Sequence, residues 1–332
     1  MLDQGQILLI VTMAMAIAYA YSNGLNDAAN AIATVVSTRA LTPIAAVILG
    51  ASMNLVGAMT GTAVAKTIGK GIVDPDFMTQ TAVLSAILAA VAWVITATRF
   101  GFPVSVSHSL VAGVLGAGIA SAGISGVNDA VMAKVLLALA LSPIFGFGGA
   151  FIVMVIFYWA LRGWALPRVN ALFTKLQIIS AGLLAYAHGK NDAQNAVGIM
   201  ALGWAVYYSN DVVVEPWMQL TSGLAIGLGT ALGGWRVIRT LGTKITHLEP
   251  TSGFVANMAA AGVIEAASTI GLPVSTTHTA SSSIMGVGST RGLNAVSLTV
   301  VRGIFGAWLI TYPFCLGLGW VLATLLGALI PS

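Results

Sequence analysis

The chain has 332 residues, of which 58% are hydrophobic and only 7% are charged. Soluble domains carry about 25% charged residues, so the composition excludes a soluble protein and predicts an all-α integral membrane protein. The net charge of +4 does not indicate nucleic-acid binding, because most basic residues fall in short loops between apolar stretches.

Apolar stretches predict nine helices along the chain. In order, they lie near 5–22, 43–65, 80–99, 131–161, 175–187, 217–235, 253–270, 294–311 and 313–330. No Lys or Arg precedes the first stretch, so we expect a retained membrane helix there rather than a cleaved signal peptide.

Four further segments are apolar overall but interrupted by polar residues, at 23–38, 103–122, 189–205 and 273–289. We expect them to form discontinuous helices and re-entrant helical hairpins, which a membrane tolerates only where protein or a cavity covers them. The total is then roughly 10–12 membrane segments.

Two polar motifs occur twice, which indicates an internal duplication. SNGLNDAANA at 22–31 matches AHGKNDAQNA at 187–196, and GFPVSVSH at 101–108 matches GLPVSTTH at 271–278. The offsets are nearly constant, and the matched residues are the rare polar ones rather than the common Ala and Leu.

A weaker match, GTAVAKTIG at 61–69 with GWRVIRTLG at 234–242, lies between them in the same order. The duplication predicts three parts: a first membrane repeat at 1–161, a short basic linker at 162–174 and a second membrane repeat at 175–332. Duplicated halves with interrupted segments at corresponding positions are typical of secondary transporters, whose sites lie near the membrane midplane.

Loop charges favour one orientation of these halves. The loop at 236–249 holds three basic residues against one acid, whereas 66–76 balances two lysines with two aspartates. Because basic loops tend to stay inside, we expect 236–249 inside and 66–76 outside, as two inverted-topology repeats require.

Both copies of the first motif place polar residues at i, i+3, i+4 and i+7, which is one face of a helix. The residues are Asn23, Asn26, Asp27 and Asn30 in the first copy and His188, Asn191, Asp192 and Asn195 in the second. Acids inside a membrane are costly unless they meet a cation or a hydrated cavity, and hard cations favour oxygen ligands. We therefore expect these side chains, His188 apart, to bind sodium. The alternative is polar packing between helices, in which the amides satisfy each other.

The second motif is typical of a helix start, because proline fits the first turn. Hydroxyls and free backbone N–H groups there form an anion-binding site, and two such starts can enclose one tetrahedral oxyanion. The predicted phosphate ligands are Ser105, Val106, Ser107, Gln194, Ser275, Thr276 and Thr277. The alternative is a pair of ordinary helix caps.

Five accessory candidates remain: Glu265, His108, His278, Lys190 and Ser283. Glu265 is expected to be an unpaired intramembrane acid with a functional role, because Ile95 occupies the matching position of the first half. The two histidines are expected to be structural hydrogen-bond donors. Lys190 either offsets the charge of Asp192 or extends to the interface. Ser283 is a hydroxyl specific to the second half, and we expect it to be an additional cation ligand.

At these motifs the chain resembles the inorganic phosphate transporter (PiT) family, which is recognised by duplicated G-A-N-D-V-A-N-A-like signatures. Here they read GLNDAANA at 24–31 and GKNDAQNA at 189–196, and the likeness covers nearly the whole chain. The resemblance implies an inverted-repeat fold and cation-coupled uptake of inorganic phosphate by alternating access in a multi-pass protein of the cell membrane. Members use either Na⁺ or H⁺, so the resemblance leaves the coupling ion open.

Electrostatics favours Na⁺. Phosphate brings negative charge to a low-dielectric site that already holds Asp27 and Asp192, and no arginine lies in the four motifs. If protons were the coupling ion, the asparagines would have little to do. We expect Na⁺ as coupling ion with no organic cofactor. The expected partners are phosphate, sodium ions, membrane lipid and a second copy of the chain in a homodimer.

The alternatives are an H⁺-coupled phosphate symporter and, less favoured, an anion channel. A serine hydrolase is disfavoured, because the chain contains no G-x-S-x-G nucleophile elbow.

Overall fold

Twelve α-helices follow one another in the computed structural model, which describes residues 3–330. They are α1 (Gln4–Ser37), α2 (Pro43–Ala58), α3 (Ala63–Lys66), α4 (Gln80–Phe100), α5 (Val106–Ala122), α6 (Asp129–Leu161), α7 (Leu166–Tyr208), α8 (Pro216–Leu232), α9 (Trp235–Arg239), α10 (Pro250–Thr269), α11 (Thr276–Ser289) and α12 (Leu298–Leu329). Within the described range there is no β-strand, so the all-α prediction is confirmed.

Five helices are long and apolar enough to cross a membrane: α1, α4, α6, α7 and α12. A sixth candidate span is broken, because α2 and the segment that begins with α3 meet at an angle of 63°. Large apolar side chains such as Ile144 on α6 and Leu309 on α12 are exposed on the outer surface, where lipid would cover them. The chain is therefore a multi-pass membrane protein.

The same series of elements occurs in both halves of the chain. Each half has a long helix, a helix of 16–17 residues, a short helix continued by a π-helical turn, a helix of 20–21 residues, a half-length helix and a second long helix. The π-helical turns, Thr67–Gly71 and Thr240–Lys244, fall in the weak third match of the sequence.

The first long helices of the two halves, α1 and α7, run in opposite directions. Along α1 and α7, Asn23 donates a hydrogen bond to Asp192, and Thr38 donates one to the side chain of Gln177. Residue numbers rise on α1 as they fall on α7, so the two helices are antiparallel. This supports inverted-topology repeats, which we propose for the two halves.

Helices of one half also pack against helices of the other half. α2 packs on α7 and α8 on α1, while α5 packs on α12 and α11 on α6. The motif glycines permit this close packing: a Cβ at Gly24 would lie 2.2 Å from the carbonyl oxygen of Ile226, and one at Gly189 would lie 2.1 Å from that of Asn54. The two halves are therefore interlocked, and the motif glycines are required for helix contact.

Several predicted boundaries are wrong. Residues 23–38 and 189–205 do not form separate half-helices, because α1 and α7 continue through them. The two stretches at 294–311 and 313–330 form the single helix α12, which includes Pro313. Neighbouring helices supply hydrogen-bond partners for most of the polar side chains of the motifs, so no break is needed to accommodate them.

One predicted helix is divided in the structure, the predicted linker is largely helical, and the predicted half-length helices are present. The predicted helix at 43–65 is broken after Ala58. Only 162–165 of the predicted linker lies outside a helix, because α7 begins at Leu166. The half-length helices predicted within 103–122 and 273–289 are present as α5, with 17 residues, and α11, with 14.

Candidate functional site

Each copy of the first motif forms a polar stripe along one face of its helix. These two motif stripes face each other inside the bundle, against the start of α11. Asp27 on α1 and Asp192 on α7 are both almost completely buried. The hydroxyl of Thr276 lies 3.2 Å from Asp27 and 3.0 Å from Asp192, and the hydroxyl of Thr277 donates to Asp27 at 2.7 Å. The structure thus brings three of the four sequence motifs to one point.

The fourth motif joins this cluster through a matched pair of contacts. The Asn30 amide donates to the hydroxyl of Thr277 at 3.0 Å, and the Asn195 amide donates to the hydroxyl of Ser107 at 2.9 Å. Each pair connects the long helix of one half to the half-length helix of the other. The arrangement has the two-fold character that the duplicated sequence predicts.

Three amide oxygens in this cluster are buried without a hydrogen-bond partner: those of Asn23, Asn30 and Asn195. Buried polar atoms are nearly always hydrogen-bonded, so an unpartnered group requires an explanation. Oxygen atoms of this kind are ligands for a hard cation. These three of the predicted sodium ligands therefore have an oxygen free to coordinate.

Asn26 and Asn191 hold the turns before the half-length helices. The Asn26 amide donates to Thr98 and to the carbonyl of Phe102, and the Asn191 amide donates to the carbonyl of Val274. Their oxygens are also used, by the N–H of Val104 and by the hydroxyl of Ser268. In this conformation both residues position the site rather than offer a free ligand atom.

His188 lies between the two carboxylates, a role that the sequence did not predict. Its Nε2 is 3.3 Å from Asp192 and 3.7 Å from Asp27, while its Nδ1 is 2.8 Å from the side-chain oxygen of Asn54. Asp27, His188 and Asp192 can each place a ligand atom within 4.8 Å of the others, which is a set that could hold a metal cation. The sequence did contain a signal for this role, because His188 occupies the same position in the second copy of the motif as Asn23 does in the first.

Donation from His188 Nδ1 to Asn54 determines what Nε2 can do. In a neutral imidazole Nε2 then carries a lone pair, and that lone pair faces two carboxylates. Such an arrangement is repulsive unless a proton or a cation lies between them. The central cluster is therefore stable only with a proton on Nε2 or with a cation bound beside it.

The serines that begin the half-length helices are caps. Ser105 accepts a hydrogen bond from the backbone N–H of His108 at 3.1 Å, and Ser275 accepts one from that of His278 at 3.0 Å. The alternative of ordinary helix caps thus describes these two hydroxyls, whereas Ser107, Thr276 and Thr277 contact the motif stripes.

Two other predicted phosphate ligands have protein partners. The carbonyl of Val106 accepts a hydrogen bond from the hydroxyl of the fully buried Tyr19 at 3.0 Å. The side-chain oxygen of Gln194 accepts from the N–H groups of Val64 and Ala65, at the start of α3. Gln194 therefore connects the motif segment of α7 to the start of α3, next to the break between α2 and α3.

The accessory candidates lie around this cluster. Glu265, the acid without a counterpart in the first half, forms an ion pair with Lys190. Lys190 contacts Glu265 and Thr269 rather than Asp192, and its extension to the interface stays a prediction. Ser283 donates to the carbonyl of Gly146 at 3.1 Å and so joins α11 to α6.

The two motif histidines pack at the meeting point of the half-length helices. The rings of His108 and His278 lie 4.5 Å apart, and His278 stacks on Trp308 at 3.8 Å. Trp308 also donates to the carbonyl of Pro103 at 3.0 Å. Helix α12 therefore packs over both half-helix starts.

Comparison with known proteins agrees with this geometry. The model of the phosphate transporter family matches residues 23–166 and 162–319. The chain is 43% identical to the "Probable low-affinity inorganic phosphate transporter" of Bacillus subtilis (strain 168), over 94% of this chain and 95% of that protein. It is 40% identical to a protein of the same name from Rhizobium meliloti (strain 1021), over 92% of each.

A solved structure described as "The sodium-dependent phosphate transporter" has the same fold. Its TM-score with this chain is 0.90, at 28% sequence identity, and the match covers 98% of this chain and 100% of that one. The chain therefore belongs to the phosphate transporter family, whose members are membrane transporters rather than enzymes.

Proposed function

We propose that this protein is a symporter that uses the Na⁺ gradient to move inorganic phosphate across the cell membrane by alternating access. One observation carries the proposal: two buried carboxylates and the imidazole of His188 meet beside amide oxygens that have no partner. Burying these groups without a cation is costly. The similar solved structure is described as a sodium-dependent phosphate transporter, which supports the same ion.

The Na⁺ ions would occupy two equivalent positions. One is formed by Asp27, Asn30 and Thr277, which are joined by hydrogen bonds of 2.7 Å and 3.0 Å. The equivalent set is Asp192, Asn195 and Ser107. Each set offers a carboxylate, an amide oxygen without a partner and a hydroxyl, which are the oxygen ligands that hard cations take.

Phosphate would bind between the half-helix starts. The hydroxyls of Thr276 and Thr277 now donate to the carboxylates of Asp27 and Asp192. A cation on those carboxylates replaces these hydrogen bonds, and the hydroxyls are then free to donate to a phosphate oxygen. The backbone N–H groups at the starts of α5 and α11 add to this anion site.

This exchange of partners makes the two substrates interdependent. Without cations, the carboxylates repel phosphate and retain the hydroxyls that would bind it. With cations bound, both obstacles are removed, so each substrate raises the affinity of the site for the other by the same factor. Such coupling is what a symporter requires.

The decisive experiment is phosphate uptake into proteoliposomes with the external cation replaced. We expect accumulation above equilibrium with an inward Na⁺ gradient and none when choline replaces Na⁺. Uptake that persists in choline and follows a pH gradient would replace this proposal with H⁺ coupling. Flux that only equilibrates phosphate would indicate a channel.

Variants link the uptake to the site. Asp27→Asn should abolish uptake, whereas Ser85→Ala should retain it. Ser85 is equally buried but donates to the carbonyl of Thr81 within its own helix, away from the cluster. Equal elution of both variants on size-exclusion chromatography excludes misfolding as the cause.

A further inference from the structure

A basic cleft opens where the turn between α4 and α5 meets α9 and the start of α12. Its volume is about 370 Å³. One wall carries the cations Arg236, Arg239 and Lys244, and the other is formed by apolar side chains that include Phe100, Phe102 and Ile304. A surface of this kind fits a ligand with an anionic end and an apolar body.

The three cations have no acidic partner among residues 3–330. All three are exposed. Arg236 donates a hydrogen bond to the carbonyl of Arg99, in the last turn of α4. No Asp or Glu lines the cleft. Three unpaired cations close together repel one another, so an anion between them is stabilising.

The duplicated fold supplies an internal comparison. With the offset of the third match, Arg236 and Arg239 correspond to Ala63 and Lys66 in the first half. The hydrogen bond from Thr240 to the carbonyl of Gly101 has an equivalent there, from Thr67 to the carbonyl of Gly271. The scaffold is therefore repeated but the cation cluster is not, so the fold itself does not require the charge.

The cleft also lies at the more basic end of the molecule. That end includes Arg39, Arg162, Arg168 and Arg291, with Glu249 as its acid. The opposite end includes Asp3, Asp74, Asp76, Asp211 and Glu215. Basic loops stay on the cytoplasmic side, where the lipid leaflet is anionic.

We propose that this cleft binds an anionic phospholipid of the cytoplasmic leaflet. Its headgroup phosphate lies among Arg236, Arg239 and Lys244, and an acyl chain lies along Phe100 and Phe102. Guanidinium groups pair with phosphate oxygens in two-pronged geometry, and basic pockets between membrane helices bind anionic headgroups. The volume suffices for a headgroup and the upper part of a chain.

A lipid here would join parts that belong to different halves. Phe100 and Phe102 flank the turn that leads to the cap Ser105, whereas the cations belong to α9 and its π-helical turn. The bound lipid therefore strengthens the contact that positions the start of α5. The inference does not depend on which ion drives transport.

Native mass spectrometry of the purified full chain, with added phosphatidylglycerol or phosphatidylcholine, tests this proposal. We expect phosphatidylglycerol to bind more tightly, and its affinity to fall about fivefold for each cation removed. The double variant Arg239→Gln/Lys244→Gln should thus bind about 25-fold more weakly. Lys66→Gln, at the position equivalent to Arg239, is the matched control and should bind as the wild type does.

Two results would overturn the proposal. One is equal phosphatidylglycerol binding by the double variant and the wild type. The other is displacement of the lipid by inorganic phosphate, together with a lowered KM for phosphate in liposomes of phosphatidylcholine alone, which would make the cleft an entry path for substrate. If the double variant does not fold, each single variant should still show its fivefold loss, and its absence would equally contradict the proposal.

Discussion

The starts of α5 and α11 are equivalent in sequence but differ in what they contact. Both begin with a capping serine, at Ser105 and Ser275. At α11 the next two hydroxyls reach the carboxylates of Asp27 and Asp192. At α5 the corresponding residues are Val106, which has no hydroxyl, and Ser107, which accepts from Asn195. The two carboxylates are therefore both held by α11.

This difference shows how a duplicated scaffold becomes asymmetric without changing its fold. The caps and the helix lengths are shared, because they determine the backbone. The side chains that we propose to meet the substrate differ, because one anion between two half-helices need not contact both equally. Each prediction below tests whether a pair of equivalent positions is equivalent in function.

The largest effect should come from the two aspartates. Asp27→Asn and Asp192→Asn each remove a charge that would bind Na⁺, while the partners of that charge remain buried. The cost of breaking such a pair is about 3 kcal/mol or more, so we expect Na⁺-driven phosphate uptake to fall at least about 100-fold in either variant. Initial uptake rates in proteoliposomes measure this. If one variant retained near wild-type uptake, the two halves would not both carry an ion.

The next effect distinguishes the two half-helix starts. Thr276→Val gives α11 the residue that α5 has at Val106, and removes a hydroxyl that we propose to donate to phosphate. A hydrogen bond to a charged group contributes about 1.5–3 kcal/mol, so the KM for phosphate should rise about tenfold or more.

The reverse substitution, Val106→Thr, serves as its control. Because the carbonyl of Val106 already accepts from Tyr19 and its side chain contacts neither carboxylate, we expect little change in KM. A large change in the KM for phosphate in Val106→Thr, with no change in Thr276→Val, would place the anion at α5 instead.

The third prediction concerns a pair that should be equivalent. Asn30→Ala and Asn195→Ala each remove an amide oxygen without a hydrogen-bond partner and its donor bond to a hydroxyl. We expect the Na⁺ concentration for half-maximal uptake to rise about tenfold in both, with a smaller change in the maximal rate. Ser283→Ala, which loses only a contact between α11 and α6, should leave this Na⁺ concentration unchanged.

Much of this site could be predicted from the sequence. Polar residues are rare in so apolar a chain, and a polar residue that occurs at the same place in two repeats has a shared environment. That reasoning identified both aspartates, the flanking asparagines and the half-length helices. The all-helical fold followed from composition alone.

The features of the site that could not be predicted from the sequence depend on packing between distant segments. The partner of His188 is Asn54, and that of Glu265 is Lys190, 75 residues away in the chain. Neither Asn54 nor Glu265 lies in a repeated motif, so no periodicity marks them. Helix continuity through the motifs was also missed, because it depends on partners supplied by α5 and α11.

The smallest effect tests the ion pair that only one half possesses. Lys190 and Glu265 occupy the positions of Leu25 and Ile95 in the first half. Lys190→Leu or Glu265→Ile alone leaves one charge unpaired. Because the carboxylate side chain is 40% exposed, we expect a loss of only about 1 kcal/mol, or roughly 2 °C in Tm.

The double variant Lys190→Leu/Glu265→Ile recreates the apolar pair of the first half and should recover the wild-type Tm, because an apolar pair of similar size replaces an ion pair at little cost. Lys70→Leu, which breaks the exposed pair with Asp211, should leave Tm unchanged. If transport fails in the double variant while Tm recovers, the ion pair acts in the transport cycle, and the asymmetry between the halves extends beyond the half-helix starts. If both recover, the ion pair does not contribute to that asymmetry in transport, because the apolar pair of the first half then suffices in the second.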